Sequence, residues 1–284
     1  MTKWPNGARS ALTLTFDFDA ETNWLSRDPA NVKRPGTLSQ GTYGARCGVP
    51  NVLRLLDEEG LRGTFFIPGW VAENRTAPAE SILRAGHEIG HHGYLHRWVD
   101  PDHPAEELEE MERGLEALQS RLGVRPRGYR SPAGETSPNL IRMLSERGFL
   151  YDSSLMDSVD PYYHCLDGGR RGPVELPWHW SLDDAPYLFF SIAAPRPIFT
   201  NEHILSIWKA EFEAIHEAGQ LFNLVMHPQG IGRPSRLRLL RDFIAHTRGF
   251  EGVWYATAED VARHWQDNVA FDPAERKISP FIEV

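Results

Sequence analysis

The chain has 284 residues, 41% of them hydrophobic and 24% charged, which is ordinary for a globular protein with a sizeable core. A net charge of -9 argues against nucleic acid or an anionic membrane surface as the main partner, and the two cysteines, Cys47 and Cys165, are too few for a disulfide framework. No apolar run approaches the ~20 residues of a membrane span, and the opening Met1-Thr-Lys-Trp-Pro-Asn-Gly lacks an apolar signal core, so a cytoplasmic protein of one large α/β domain, 1–284, is expected.

The first element is an apolar run, Ala11-Leu-Thr-Leu-Thr-Phe16, read as a buried strand. It continues into Asp17-Phe-Asp19, where side chains two apart face the same way. Two carboxylates fixed side by side need a partner if they are buried, and a cation is the simplest one; two unrelated acids at a solvated strand end are the plainer reading. Thr22 to Gly48 is rich in Pro, Gly, Arg and Asn with no helical or strand period. It is expected as a long loop insertion near the site, acting as a lid or a contact between subunits of a homo-oligomer, or else as plain surface.

A helix from Pro50 to Gly60, a strand Gly63–Ile67 and a helix Ala79–Ala85 follow. Glu88-Ile-Gly90 is a short strand that delivers His92 and His96, which share one face if the segment is a helical turn. That spacing suits two imidazole ligands on one metal, and with Asp19 it gives two nitrogens and one carboxylate oxygen with a position left open for water. His87, His91 and His103 are expected to be structural or loop residues. Ala105–Leu122 is the clearest helix, with Leu108, Met111, Leu115, Leu118 and Leu122 on one side. Its acids Glu106, Glu107, Glu109 and Glu110 are read as a solvated face favoured by the helix dipole.

Gly128-Tyr-Arg130 is a strand, and an arginine beside the paired aspartates would hold one of them ionised. Glu135 lies a few residues on, where it would edge the pocket. After a capped helix to Arg147 and a strand Phe149–Ser154, Met156 to Gly172 reads as a polar loop in which His164 and Cys165 are structural. Trp178 and Trp180 fall on one side of an extended segment, either as core or as a platform for a ring. Tyr187–Ile192 reads as a strand, Glu202 to Ala218 as a helix, and Leu221–Met226 as a buried strand ending at His227. A helix near Leu237–Thr247, a strand Val253–Ala256 and a capped helix from Thr257 close the pattern. The alternation predicts a parallel sheet with helices outside, and chemistry-bearing residues at several strand ends predict a closed or distorted barrel.

Four of these stretches, in order, resemble the motifs of the polysaccharide deacetylase (NodB-homology) family: Thr15-Phe-Asp-Phe-Asp19, Gly86-His-Glu-Ile-Gly-His-His-Gly-Tyr-Leu-His96, Gly128-Tyr-Arg-Ser-Pro132 and Leu224-Val-Met-His227. The matches span nearly the whole chain. The common family form has adjacent aspartates, whereas the Asp-x-Asp form here resembles a subgroup holding intracellular peptidoglycan-deacetylase-like proteins, cyclic imide hydrolases and metal-independent allantoinases. Trp180-Ser-Leu-Asp-Asp184 is similar to that subgroup locally.

The resemblance implies a distorted, seven-stranded (β/α) barrel and hydrolysis of a non-peptide carbon–nitrogen bond. It implies one divalent metal on Asp19, His92 and His96, zinc by default, with iron, manganese, cobalt and nickel as alternatives. Asp17 is then the general base, Arg130 orients it, and His227 is the general acid. Trp178, Trp180 and Glu135 are expected to bind substrate. That substrate is an N-acetyl amino sugar or peptidoglycan fragment, or alternatively a small cyclic imide or ureide, which the leaderless start favours over a wall polymer. A catalytically silent binding protein of the same fold is the reading from another class, and it requires the loss of a group that this sequence retains.

Overall fold

The computed structural model describes residues 3–192 and 195–274. Among these, one sheet holds β1 (Ser10–Asp17), β2 (Thr64–Ile67), β3 (Glu88–His91), β4 (Gly128–Tyr129), β5 (Tyr151–Asp152), β6 (Tyr162–Leu166), β7 (Arg170–Glu175), β8 (Leu221–Met226) and β9 (Val253–Ala256). The order is β6-β7-β5-β4-β3-β2-β1-β8, with β9 alongside the start of β1. Every pairing is parallel except β6 with β7. A parallel bridge from Asp183 to Val225 ties the chain beyond β7 to β8, so the sheet curves back on itself as a barrel-like ring. The expected α/β architecture is thus the observed one.

Strand β1 is central because it is buried along its whole length, with β8 paired from Ala11 to Phe16 on one side and β2 from Thr15 to Asp17 on the other. That is why its sequence is continuously apolar rather than alternating. Phe16 stacks on Phe65 at 4.7 Å between ring centroids, and helices packed outside the ring complete the main core. The helix Pro104–Leu122 ends at Gly123, whose φ of 67° lets the chain turn away. Because parallel strands share a direction, their C-terminal ends gather at one end of the ring.

Four local expectations need correction. Residues 22–48 are not a loop: they form a short helix Thr22–Leu25, a 3-10 turn Pro29–Lys33 and a helix Pro35–Tyr43 that widens into a π turn at Gly44–Gly48 and runs on into Val49–Glu58. The contact face of this insertion is glycine rather than leucine, so no apolar period advertises it. The polar segment 156–172 contains β6 and the start of β7, joined at Asp167-Gly168-Gly169 with both glycines near φ 73°. Tyr187–Ile192 is not a strand: Tyr187 and Leu188 end a helical turn, Ala185–Leu188, with Pro186 in its first positions and the Asp183 carboxylate accepting from the Ala185 N–H. In the long helix, Glu107 is buried and accepts from the Ser137 backbone and hydroxyl, while Leu108 is exposed, so the acidic run is not simply solvated.

Candidate active site

Asp17 ends β1 at the C-terminal rim of the ring, and its Oδ1 accepts from Arg130 at 2.9 Å. The guanidinium is itself fixed by the Thr15 hydroxyl at 2.9 Å, the Ser153 carbonyl at 3.1 Å and the Ser153 hydroxyl at 2.9 Å, and it lies over the Phe66 ring at 4.2 Å. Burial alone would raise the Asp17 carboxyl, but the charge of Arg130, with His92 and His227, outweighs it and holds the group below the ordinary range. Asp17 is therefore an ionised carboxylate with Oδ2 turned toward His92 Nε2 at 3.8 Å.

Asp19 lies just past the strand, where its carbonyl accepts from the Thr22 N–H and hydroxyl. Ala20, at φ 47°, makes the sharp turn that follows. Asp19 Oδ1 lies 3.5 Å from His92 Nε2 and 3.7 Å from His96 Nε2. The histidine pair does not sit on a helix as the spacing predicts. It lies on a loop with Gly93 at φ 71° and His96 at φ 60°. Glu110 holds this loop by accepting from the Tyr94 and Leu95 N–H groups, and His91, donating to the Met111 carbonyl and accepting from Gly93 N–H, anchors its start.

Whether these residues suit a metal is decided by their unpaired atoms. Asp19 Oδ1 and His92 Nε2 are buried and make no hydrogen bond. His92 Nδ1 is 2.7 Å from the Arg130 carbonyl, which only accepts, so Nδ1 carries a proton and the neutral ring has its lone pair on Nε2. Burial pushes His96 down to about 4 against the pull of Asp19, keeping it in the neutral form that ligates. A buried carboxylate and two buried imidazoles whose ligand atoms converge within 4.8 Å fit a divalent cation.

His227 follows β8 on the other side of Asp19, with Nε2 3.7 Å from Asp19 Oδ2. Its Nδ1 donates to Asp184 Oδ1 at 2.7 Å, its backbone N–H donates to Asp184 Oδ2 at 3.1 Å, and Asp183 Oδ1 lies 3.6 Å from Nδ1. Burial would strip the proton from this ring, yet the Asp183 and Asp184 carboxylates, with Asp19, hold it well above the usual histidine range. Burial in turn pushes Asp183 up to about 7. These two aspartates are the functional neighbours that sequence reasoning quoted without assigning a role. Their signal was an adjacent acidic pair opening a helix, in a chain whose buried histidine needs something to orient it.

Phe189 packs edge-on to His227 at 5.1 Å between centroids and forms one wall of a cavity of about 200 Å³. Trp24 and Gln40 of the insertion form another wall, and Gln229, Arg233 and Arg236 a third. Trp178 and Trp180 meet edge to face at 4.7 Å, Trp178 buried and Trp180 exposed, and neither lines that cavity. Glu135 is exposed, and the group it contributes locally is its backbone carbonyl, which accepts from the Ser131 hydroxyl. The structure brings together Asp17, Asp19, His92, His96, Arg130 and His227, a cluster that adjoins the cavity through Phe189 and Gln229, and none of Glu135, Trp178 and Trp180 makes a hydrogen bond or ion pair to these six.

Residues 37–151 match the family described as Polysaccharide deacetylase. A solved Mycobacterium smegmatis protein assigned to the polysaccharide deacetylases is 42% identical, superposes with a TM-score of 0.88, and is covered over 92% of its length by 93% of this chain. The Puue allantoinase structure is 25% identical with a TM-score of 0.81, covering 96% of this chain and 95% of its own. The peptidoglycan deacetylase of Helicobacter pylori is 28% identical over 87% of this chain and 92% of its own. A likeness of 42% identity over 93% of the chain means that it belongs to the polysaccharide deacetylase family, hydrolases of carbon–nitrogen bonds other than peptide bonds.

Proposed function

We infer that the protein hydrolyses an amide-like carbon–nitrogen bond with one divalent cation held by Asp19, His92 and His96. What supports this most is the pair of buried, hydrogen-bond-free atoms Asp19 Oδ1 and His92 Nε2, facing each other at 3.5 Å. When bound, the cation supplies Lewis acidity, which makes water more acidic and a carbonyl more electrophilic. Zinc is the default for this donor set, and iron, manganese, cobalt and nickel accept it too.

Asp17 removes the proton from the attacking water. Arg130 occupies Oδ1 and keeps the carboxylate charged, so Oδ2 is the basic atom. His227 then donates to the leaving nitrogen from Nε2, the ring nitrogen not engaged by Asp184. Every group of this scheme is present, which favours an enzyme over a silent scaffold. Residues 1–284 are read as one catalytic domain working in the cytoplasm as a homo-oligomer; no helix among the described residues is long and apolar enough to cross a membrane.

Two substrate classes follow. An N-acetyl amino sugar or peptidoglycan fragment is supported by the Helicobacter pylori relative. A compact cyclic imide or ureide is supported by the cavity of about 200 Å³ beside His227, walled by the insertion, and by the likeness to an allantoinase. The test is turnover of chito-oligosaccharides and of a cyclic imide before and after chelation. Loss of one activity on chelation, restored by zinc, is the expected result and assigns the class. Chelator-resistant opening of the imide would refute the cation scheme.

A further inference from the structure

The two oxygens of Asp19 are treated differently. Oδ1 makes no hydrogen bond and faces the two imidazoles. Oδ2 accepts from Asn23 Nδ2 at 3.1 Å and from Gln229 Nε2 at 3.4 Å. Both amide side chains are only 5% exposed, so water cannot readily replace either donor. Their orientation is forced, because a reversed amide would set its oxygen against a carboxylate. Gln229 Oε1 is left buried without a hydrogen bond, the counterpart of aiming the nitrogen at Asp19.

The insertion carries one amide and packs against the other. Asn23 lies in the helical turn that opens it. Gln229 lies two residues past His227, under the π turn. A Cβ at Gly41 would stand 2.3 Å from the Ala20 carbonyl oxygen, one at Gly44 would stand 3.1 Å from Gln229 Cβ and Oε1, and one at Gly48 would stand 2.1 Å from the Pro228 carbonyl oxygen. Glycine at these three places thus lets the insertion helix lie directly against the chain that follows Asp19 and the chain that follows His227.

The geometry points to Asn23 and Gln229 as positioning residues that saturate Asp19 Oδ2 and so present Oδ1 to the cation, with 22–48 as the carrier of one and the support of the other rather than a lid. The idea rests on the cation reading above. Outer partners of ligating carboxylates commonly govern metal affinity by about 10–100-fold. Zinc titration of chelator-stripped protein against a competing chromophoric chelator measures this without turnover. Asn23→Ala and Gln229→Met, the latter keeping length without the donor, are expected to weaken zinc binding by about 10–100-fold, Asn23→Ala the more because its contact is shorter. The melting temperature of the stripped protein stays at the wild-type value. Gly44→Ala, whose nearest contacts all fall on Gln229, shifts affinity the same way by less.

Wild-type zinc affinity in both amide variants would overturn the proposal and leave the cation reading standing. If the wild-type protein itself takes up no zinc, the cation reading falls and this one with it. Should Asn23→Ala melt early without metal, Gln229→Met decides the matter by the same two outcomes.

Discussion

Strand β3 begins at Glu88 and delivers His92, so its two ends can be compared directly. At the start, the Glu88 carboxylate accepts from the Thr64 hydroxyl at 2.6 Å, the Tyr151 hydroxyl at 2.6 Å and the Glu259 N–H at 2.9 Å. At the other end, His92 Nε2 and Asp19 Oδ1 are just as enclosed and have no hydrogen-bond partner. Residue type does not separate the ends, since both bury ionisable groups. What separates them is whether the protein itself supplies the partners. A third set, Asp152, His164 and Glu175, is a second buried cluster of carboxylate and imidazole, with two acids and one histidine in place of one acid and two. There Glu175 is engaged by His164 at 2.8 Å and by the Ser154 and Leu155 N–H groups, while burial and the Glu175 charge push Asp152 well above the carboxylate range, its Oδ1 accepting from the Ser154 hydroxyl and its Oδ2 making no hydrogen bond. Glu88 is matched by donors of the protein itself, whereas Asp19 and His92 turn partnerless atoms toward each other, which is where a cation and a substrate are expected.

The sharpest way to break this contrast is to disturb the open end without emptying it. Asp184→Asn leaves the volume at His227 unchanged but removes the charge that holds its proton, and kcat is expected to fall by about 100-fold or more. The alkaline limb of the pH–rate profile should move to lower pH; an unshifted profile would mean that Asp184 does not control the His227 proton.

At the closed end the effect falls on stability. Burial pushes Glu88 up to about 7 from an ordinary 4.5 despite its three donors. The folded protein therefore binds this proton more tightly than the unfolded chain. Its contribution is whole below about 4.5 and is lost as the pH rises to about 7. Glu88→Gln removes the titration, so urea unfolding at pH 5 and pH 8 should show the stability gap between wild type and variant shrinking by up to about 3 kcal/mol. The kcat/KM of the folded variant should be unchanged.

The smallest effect is expected at Trp180, exposed and away from the cavity beside His227. Trp180→Ala should lower kcat/KM for a chito-oligosaccharide by a few-fold, about the worth of one aromatic contact. Turnover of a cyclic imide should not change. Equal losses on both would place Trp180 at the reacting centre.

The open end was largely legible in the sequence because its residues sit on short, ordered motifs. The apolar run before Asp17 marks a strand, His92 and His96 fall together on the short stretch that follows β3, and Arg130 and His227 close later strands. What was not legible depends on partners far along the chain. The loop carrying His92 to His96 takes its shape from Glu110, a residue of the next helix. The helix at Pro35–Tyr43 packs through Gly41, Gly44 and Gly48, whose value lies in backbone contacts that no hydrophobic period reveals. The Asp183–Asp184 pair acquires meaning only when Val225 brings His227 beside it. The Asp167-Gly168-Gly169 hairpin turn, by contrast, was visible and was outweighed by the polarity of its neighbours.

The central claim is that Asp19, His92 and His96 hold a cation while Asp17 does the proton transfer, and metal analysis of two variants assayed in parallel tests it most directly. Asp17→Asn should retain about one zinc per chain and lose turnover by about 100–10,000-fold, whereas His92→Ala should lose both. A metal-free wild-type protein that still turns over substrate, or an active Asp17→Asn, would contradict it.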